Sequence, residues 1–219
     1  MRIVKIVEIA REELPIFLPA VKTCILAIAT FISTVSVHIA MTPIDFNPDL
    51  KISIFALLMA IAGFLYALVI EYAHHRWILH SKVSGFFKKF YADHIKHHRL
   101  FRSKNFQTRD KALLQFVATY WPTFPLIFLV NYLVLAQLAH YLYIPLFLII
   151  AFFTGILIEF VYFEFTHYAL HVEGSSINNF FNSYAKQMHH KAHHDKMSGN
   201  FGVTAINIDR ILKTSHATK

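Results

Sequence analysis

From Ala112 to Ile158 the chain runs for 47 residues without an Asp, Glu, Lys or Arg. That is more than twice the ~20 residues that cross a bilayer as one helix, so the run predicts two spans joined by a turn near His140 to Pro145. Two other uncharged stretches, the 22 residues 23–44 and the 19 residues 52–70, are each close to spanning length. The first of them is too long for a secretory core segment and is expected to remain as a membrane helix. An apolar content of 56%, a mean hydropathy of +0.45 and 22 phenylalanines exceed what a soluble core uses. The expected fold is all-α and integral to a membrane, with four transmembrane helices at about 20–44, 52–73, 112–137 and 141–165, paired as two hairpins. Pro43 and Pro48 break the chain between the first two spans, and Pro122 and Pro125 are expected to kink the third near one end. Residues 1–13 place Arg2, Lys5, Glu8, Arg11, Glu12 and Glu13 among Ile and Val at helical spacing, which predicts a short interfacial helix.

The cations sit between the apolar runs. Of 21 Lys and Arg residues, ten fall between Glu71 and Lys111, six follow Glu159, and the short connecting loops hold only Lys51. By the positive-inside rule both termini and the segments 74–111 and 166–219 face the cytoplasm, where they form a helical lobe or cap. Arg76, Lys82, Lys88, Lys89 and Lys96 are expected to meet lipid headgroups. The net charge of +8 is not arranged as a nucleic-acid-binding signature, so no nucleic acid partner is expected. Cys24, the single cysteine, lies inside an apolar run and offers neither a disulfide framework nor a thiolate metal site.

Both polar segments carry histidine clusters. His94, His97 and His98 form an H-x-x-H-H triplet, and His190, His193 and His194 form a second. His75 and His80 stand five apart, and His167 and His171, delivered by the continuation of the fourth helix past Glu159, stand four apart. Positions i, i+3 and i+4 share a helical face, so each triplet is expected to turn three imidazoles toward one centre. Residues five apart lie about 140° around an ideal helix, so His75 and His80 converge only if the helix ends or bends between them. Asn178 or Asn179 is expected to cap the helix that bears the second triplet. His74 and His189 adjoin these clusters, but His75 and His190 complete the spacing. His38, His140 and His216 stand alone and read as ordinary hydrogen-bonded rings.

Ten neutral imidazoles brought together would lack proton partners, and protonated they would repel one another; a divalent metal removes both difficulties. Ten ligands suggest two metals with about five nitrogens and an open position each, whereas structural zinc closes its shell at four. Iron suits dioxygen chemistry, although the affinity order favours zinc in purified material. Ligating imidazoles usually pass their second N–H to an acceptor, and Glu71, Glu164, Asp195 and Asp209 are the nearby carboxylate candidates. A metal transporter would place ionisable ligands near the bilayer midplane, and the four spans are expected to lack them except for Lys22 near one end of the first. A bis-histidine membrane cytochrome has no use for two H-x-x-H-H triplets.

The set His75-x-x-x-x-His80, His94-x-x-His97-His98, His167-x-x-x-His171 and His190-x-x-His193-His194, with membrane hairpins between, resembles the fatty acid hydroxylase/sterol desaturase superfamily. The resemblance covers about residues 52–212 and includes Asn200-Phe-Gly-Val-Thr204 followed by Asp209. The stretches 71–80, 166–171 and 196–202 are most similar to the fatty acid (sphingolipid) 2-hydroxylase branch, and the third box is one residue shorter than is usual in carotene hydroxylases. The resemblance implies one membrane-embedded hydroxylase domain, 1–219, that inserts oxygen from O2 into a lipid C–H bond. It also implies two iron ions, a lipid drawn from the bilayer and a separate electron-transfer protein. Sterol desaturation and sterol or carotenoid hydroxylation remain open within the same superfamily.

Overall fold

The computed structural model describes residues 2–41, 50–82, 85–102, 105–119, 122–174, 181 and 183–216. Side chains of 2–12, 50–52 and 86 lie outside that description, as do Pro43, Pro48, Asn178 and Asn179. The described residues are almost entirely helical: α1 Arg2–Met41, α2 Leu50–His74, α3 Lys88–Leu100, α4 Lys111–Leu114, α5 Thr123–Tyr141, α6 Leu146–His171, α7 Tyr184–Asp195 and α8 Asn207–Ile211. Their only extended pairing is an isolated parallel bridge between Thr108 and Val172. Among the described residues, four stretches are long and apolar enough to cross a membrane: Glu13–Met41, Ser53–Leu79, Thr123–Tyr141 and Leu146–His171.

Three boundaries depart from expectation. The helix expected over residues 1–13 is continuous with the first span, because Pro15 and Pro19 are both accommodated inside α1. The third apolar helix starts at Thr123, not near 112: Pro122 occupies its N-cap position and Pro125 falls in its first turn, where backbone N–H groups have no intrahelical acceptor and proline costs little. The prolines therefore start the helix and do not kink it. Residues 111–114 form a separate short helix whose N-cap, Asp110, accepts from Ala112 N at 2.8 Å. The helix carrying the second triplet begins at Tyr184, and Ser183 Oγ caps it by accepting from Lys186 N.

The chain packs as two units. One comprises 24–68 and 121–161 and contains most of the apolar helical length. Its interior is aromatic and small: Ala27, Phe124, Phe128, Tyr132, Ala136, Ala139, Ile149 and Phe153. Helices α2 and α6 approach to backbone contact, since a Cβ on Gly63 would lie 1.9 Å from the Phe152 carbonyl oxygen and one on Gly155 would lie 1.9 Å from that of Ala60. Polar groups here are tied off inside the unit. Tyr66 Oη donates to Asn131 Oδ1 at 2.5 Å, Asn131 Nδ2 donates to Ile127 O at 2.7 Å, and His38 pairs with the Tyr132 hydroxyl. Outward-facing positions are aliphatic and aromatic, among them Phe55, Leu57, Leu58, Leu133 and Val134, a surface suited to lipid and not to water. Contrary to the expectation of spans without ionisable groups, α6 also carries Glu159, which is 4% exposed.

The other unit comprises 1–23, 69–120 and 162–219. Ile16, Phe17, Ala20, Phe101, Leu114, Val117, Tyr168, Ala169 and Val172 form its core. Tyr168, fully buried, donates to the Ile16 carbonyl at 2.7 Å and so fixes the first half of α1 to the end of α6. At the end of α6 the backbone pairs with Thr108, whose N–H donates to His171 O at 2.9 Å and whose carbonyl accepts from Glu173 N at 3.2 Å. All four histidine clusters lie in this unit.

Candidate metal centre

Helix α2 ends in a π-helical turn, His75–Leu79, and leaves helical structure after His80. In such a turn the backbone bonds i to i+5, so residues five apart come onto one side, and the bend expected near His80 takes this form. The Nε2 atoms of His75 and His80 lie 3.3 Å apart. Helix α3 contributes the first triplet, the last turn of α6 contributes His167 and His171, and α7 contributes the second triplet.

The ten histidines gather into two groups of five. His75, His80, His94, His98 and His193 make the first, and His97, His167, His171, His190 and His194 make the second, with the ligating atoms of each group within 4.8 Å of one another. Each triplet is thus divided, which corrects the expectation that one triplet serves one centre. At about 100° per residue, positions i and i+4 lie about 40° apart, whereas i+3 and i+4 differ by about 100°. Hence His94 with His98, and His190 with His194, turn to one group, while His97 and His193 cross to the other. Where the groups meet, the His98 and His194 rings stack at 4.2 Å.

The geometry fits a cation in each group. In the first, Nε2 separations are 2.9 Å for His80 and His94, 3.0 Å for His94 and His98, and 3.1 Å for His75 and His94. In the second they are 3.1 Å for His171 and His190 and 3.2 Å for His190 and His194. A metal at ~2.0–2.1 Å from each of two nitrogens at a right angle sets those nitrogens about 3 Å apart. Five donors at such spacing leave one position of a six-coordinate shell open. Four rings hold their Nδ1–H on backbone carbonyls: His75 on Phe201 O at 2.5 Å, His97 on Phe116 O at 3.0 Å, His171 on Phe106 O at 2.8 Å and His193 on Gly199 O at 2.7 Å. Each such bond fixes the tautomer and leaves Nε2 with its lone pair. The Nε2 atoms of His97 and His193 are buried with no hydrogen-bond partner, as donors awaiting a metal would be.

Carboxylates were expected in the place these carbonyls occupy, and they stand one layer further out. Asp209, fully buried, accepts from Phe201 N at 2.9 Å and Gly202 N at 2.7 Å, and also from Thr214 Oγ1 and His189 Nε2. Glu71 accepts from Val203 N at 2.7 Å and from the Thr204 hydroxyl. Together they set the loop whose carbonyls hold His75 and His193. Glu164 does the same for the second group, accepting from Thr119 N at 3.0 Å and Thr119 Oγ1 at 2.6 Å, three residues along the chain from Phe116. Asp195 is exposed and pairs with Lys191 at 2.9 Å. Phe106, Phe116, Gly199 and Phe201 escaped sequence reasoning because a backbone acceptor leaves no mark on residue type. Of the cations expected at headgroups, Lys82, Lys88, Lys89 and Lys96 are exposed. Lys96 Nζ lies 3.9 Å over the Phe116 ring, and the half-buried Arg76 donates to Tyr72 Oη at 2.9 Å.

Burial first, and the neighbouring imidazoles second, hold His94, His98, His190 and His194 well below the ordinary imidazole range. His80, His97 and His193 are lowered for the same reasons. These rings stay neutral near pH 7, the state in which they ligate. Burial would raise Asp209, but its bonds from His189, Thr214, Gly202 and Phe201 outweigh that and hold it below the ordinary carboxylate value. The histidine shifts give a pH prediction. Below about pH 6.5 the unfolded chain takes up protons that the folded site refuses, so stability is intact above that value and falls as pH drops through and below it. The melting temperature in detergent and the bound metal should therefore both decline from pH 7 to pH 5. A flat profile across that interval would contradict the burial of these rings.

A family model described as fatty acid hydroxylase matches residues 60–214. No curated protein and no solved structure matches the chain.

Proposed function

The chain belongs to the fatty acid hydroxylase family, and from that premise we propose that it is a membrane-bound, di-iron, O2-dependent hydroxylase of a fatty acyl chain, acting as a fatty acid or sphingolipid 2-hydroxylase. The observation that carries the reading is the pair of five-imidazole groups, each one donor short of a six-coordinate shell. Iron bound in the two groups would supply the reduction of O2, with electrons from a separate donor protein, and the cleavage of a C–H bond.

The protein's own contribution is to hold and shield. Carbonyls of Phe201, Gly199, Phe116 and Phe106 fix four ring orientations, so the donor set does not have to reorganise when metal enters. Phe101, Phe106 and Phe201 pack against the histidine rings and exclude water from the inner faces, with Phe101 and Phe106 4.7 and 4.8 Å from His171 and Phe201 5.6 Å from His193. Two groups of five nitrogens are more than a transport site needs, and the ten rings are divided between two centres instead of flanking one planar haem. The excess of Lys and Arg in the histidine-bearing segments supports a cytoplasmic site.

The test is to supply reduced electron donor and a panel of fatty acids, ceramides, sterols and carotenoids under labelled O2, then read the lipid products by mass spectrometry. One labelled oxygen at C2 of an acyl chain is expected, and none with the His194→Ala protein. Two hydrogens lost without label would mean desaturation. If no lipid changes while iron is quantitatively bound, or if the variant keeps its activity, the hydroxylase reading is wrong.

A further inference from the structure

We infer that residues 209–216 form a latch for the first histidine group, and that the two metal positions are therefore unequal: the first exchanges its ion while the second retains it. The inference rests on the metal-centre reading above. Its ground is the different way in which the two groups are backed.

His75 and His193 of the first group hold their N–H on Phe201 O and Gly199 O, both in the loop that follows α7. That loop is fastened to the chain's last described segment. Asn200, buried and in the left-handed region at φ +56°, donates its backbone N–H to Thr214 O at 3.0 Å. Its Oδ1 accepts from His216 N at 2.7 Å, and its Nδ2 donates to His216 O and His189 O, each at 3.3 Å. A Cβ on Gly199 would lie 2.3 Å from Thr214 O and 2.4 Å from His216 Nε2, so the latch rests directly on the residue whose carbonyl holds His193. Thr214 is fixed in turn by Asp209 and by Tyr72 Oη at 3.0 Å.

The second group is backed from elsewhere in the chain. Its acceptors are Phe106 O and Phe116 O, in the segment secured by the Thr108 to Val172 bridge and by Glu164 on Thr119. All five of its histidines are buried, whereas His80 and His94 of the first group are only half-buried. The first group thus combines the more open side with a backing loop that is itself held by a second segment, 209–216. Asn200 is its positioning residue.

The full chain, loaded with zinc in detergent, is challenged with excess chelator and zinc release is followed. Two zinc ions should leave the unaltered protein in two phases, with the fast phase absent from His80→Ala and the slow one absent from His171→Ala. Asn200→Gly keeps the left-handed backbone accessible and removes only the side-chain bonds. It should accelerate the fast phase by about 10-fold or more, the scale on which outer contacts tune metal affinity, and leave the slow phase unchanged. Thr119→Ala should act on the slow phase alone. Single-phase release from the unaltered protein, or equal acceleration of both phases by Asn200→Gly, or none, would overturn the inference. Fewer than two zinc ions bound at the start would overturn the metal-centre reading itself.

Discussion

Replacing His97 with alanine should cost the second group its ion, and replacing its neighbour His98 should cost the first group its ion. The expectation follows from the divided triplet: His97 stands with His167, His171, His190 and His194, and His98 with His75, His80, His94 and His193. Each single variant should bind about one metal per chain and lose activity by more than the ~10–100-fold that outer contacts cost, because a ligand itself is gone. Double variants separate the alternatives. His97→Ala with His98→Ala should bind no metal, whereas His94→Ala with His98→Ala should still bind one. Metal content by elemental analysis reads both directly. If the adjacent double variant kept one ion, a triplet would serve a single centre and the division would be wrong.

Asp209→Ala should be the most destabilising change outside the ten histidines. The carboxylate takes two backbone N–H groups, the Thr214 hydroxyl and His189, and is itself fully buried. Each buried donor left without an acceptor costs about 1–3 kcal/mol, so the loss is a few kcal/mol against the ~5–15 kcal/mol that hold a typical fold. Metal affinity at the first group should fall with it, since Phe201 O and Gly199 O lose their support. Asp209→Asn keeps one acceptor oxygen and should cost less than alanine. Thermal unfolding in detergent, followed alongside metal content, checks both effects. An alanine variant that melts with the unaltered protein and holds two ions would show that the loop does not depend on this carboxylate.

Much of the site is legible in the sequence because its signal is carried by residue type. An imidazole is costly to bury unpaired, so ten of them in four clusters between uncharged runs announce a shared task. The spans are legible for a similar reason, since 47 residues without a charge have few other ways to fold. Boundaries are less legible. By sequence alone Pro122 and Pro125 read as kinks within a longer helix, but a proline in a first turn is a start signal, and only the structure shows where the turn lies.

What the sequence by itself determined is the helical class, the four apolar segments and the identity of the ten clustered histidines, because hydropathy and ligand chemistry are properties of side chains. Only the tertiary structure decided how those histidines divide. The π-helical turn that brings His75 to His80, and the packing of helices from distant parts of the chain that assigns His97 and His193 to the opposite groups, appear only in three dimensions. The backing of the rings by Phe106, Phe116, Gly199 and Phe201 was likewise decided in three dimensions. Every residue carries a carbonyl, and only packing selects the few that face an imidazole.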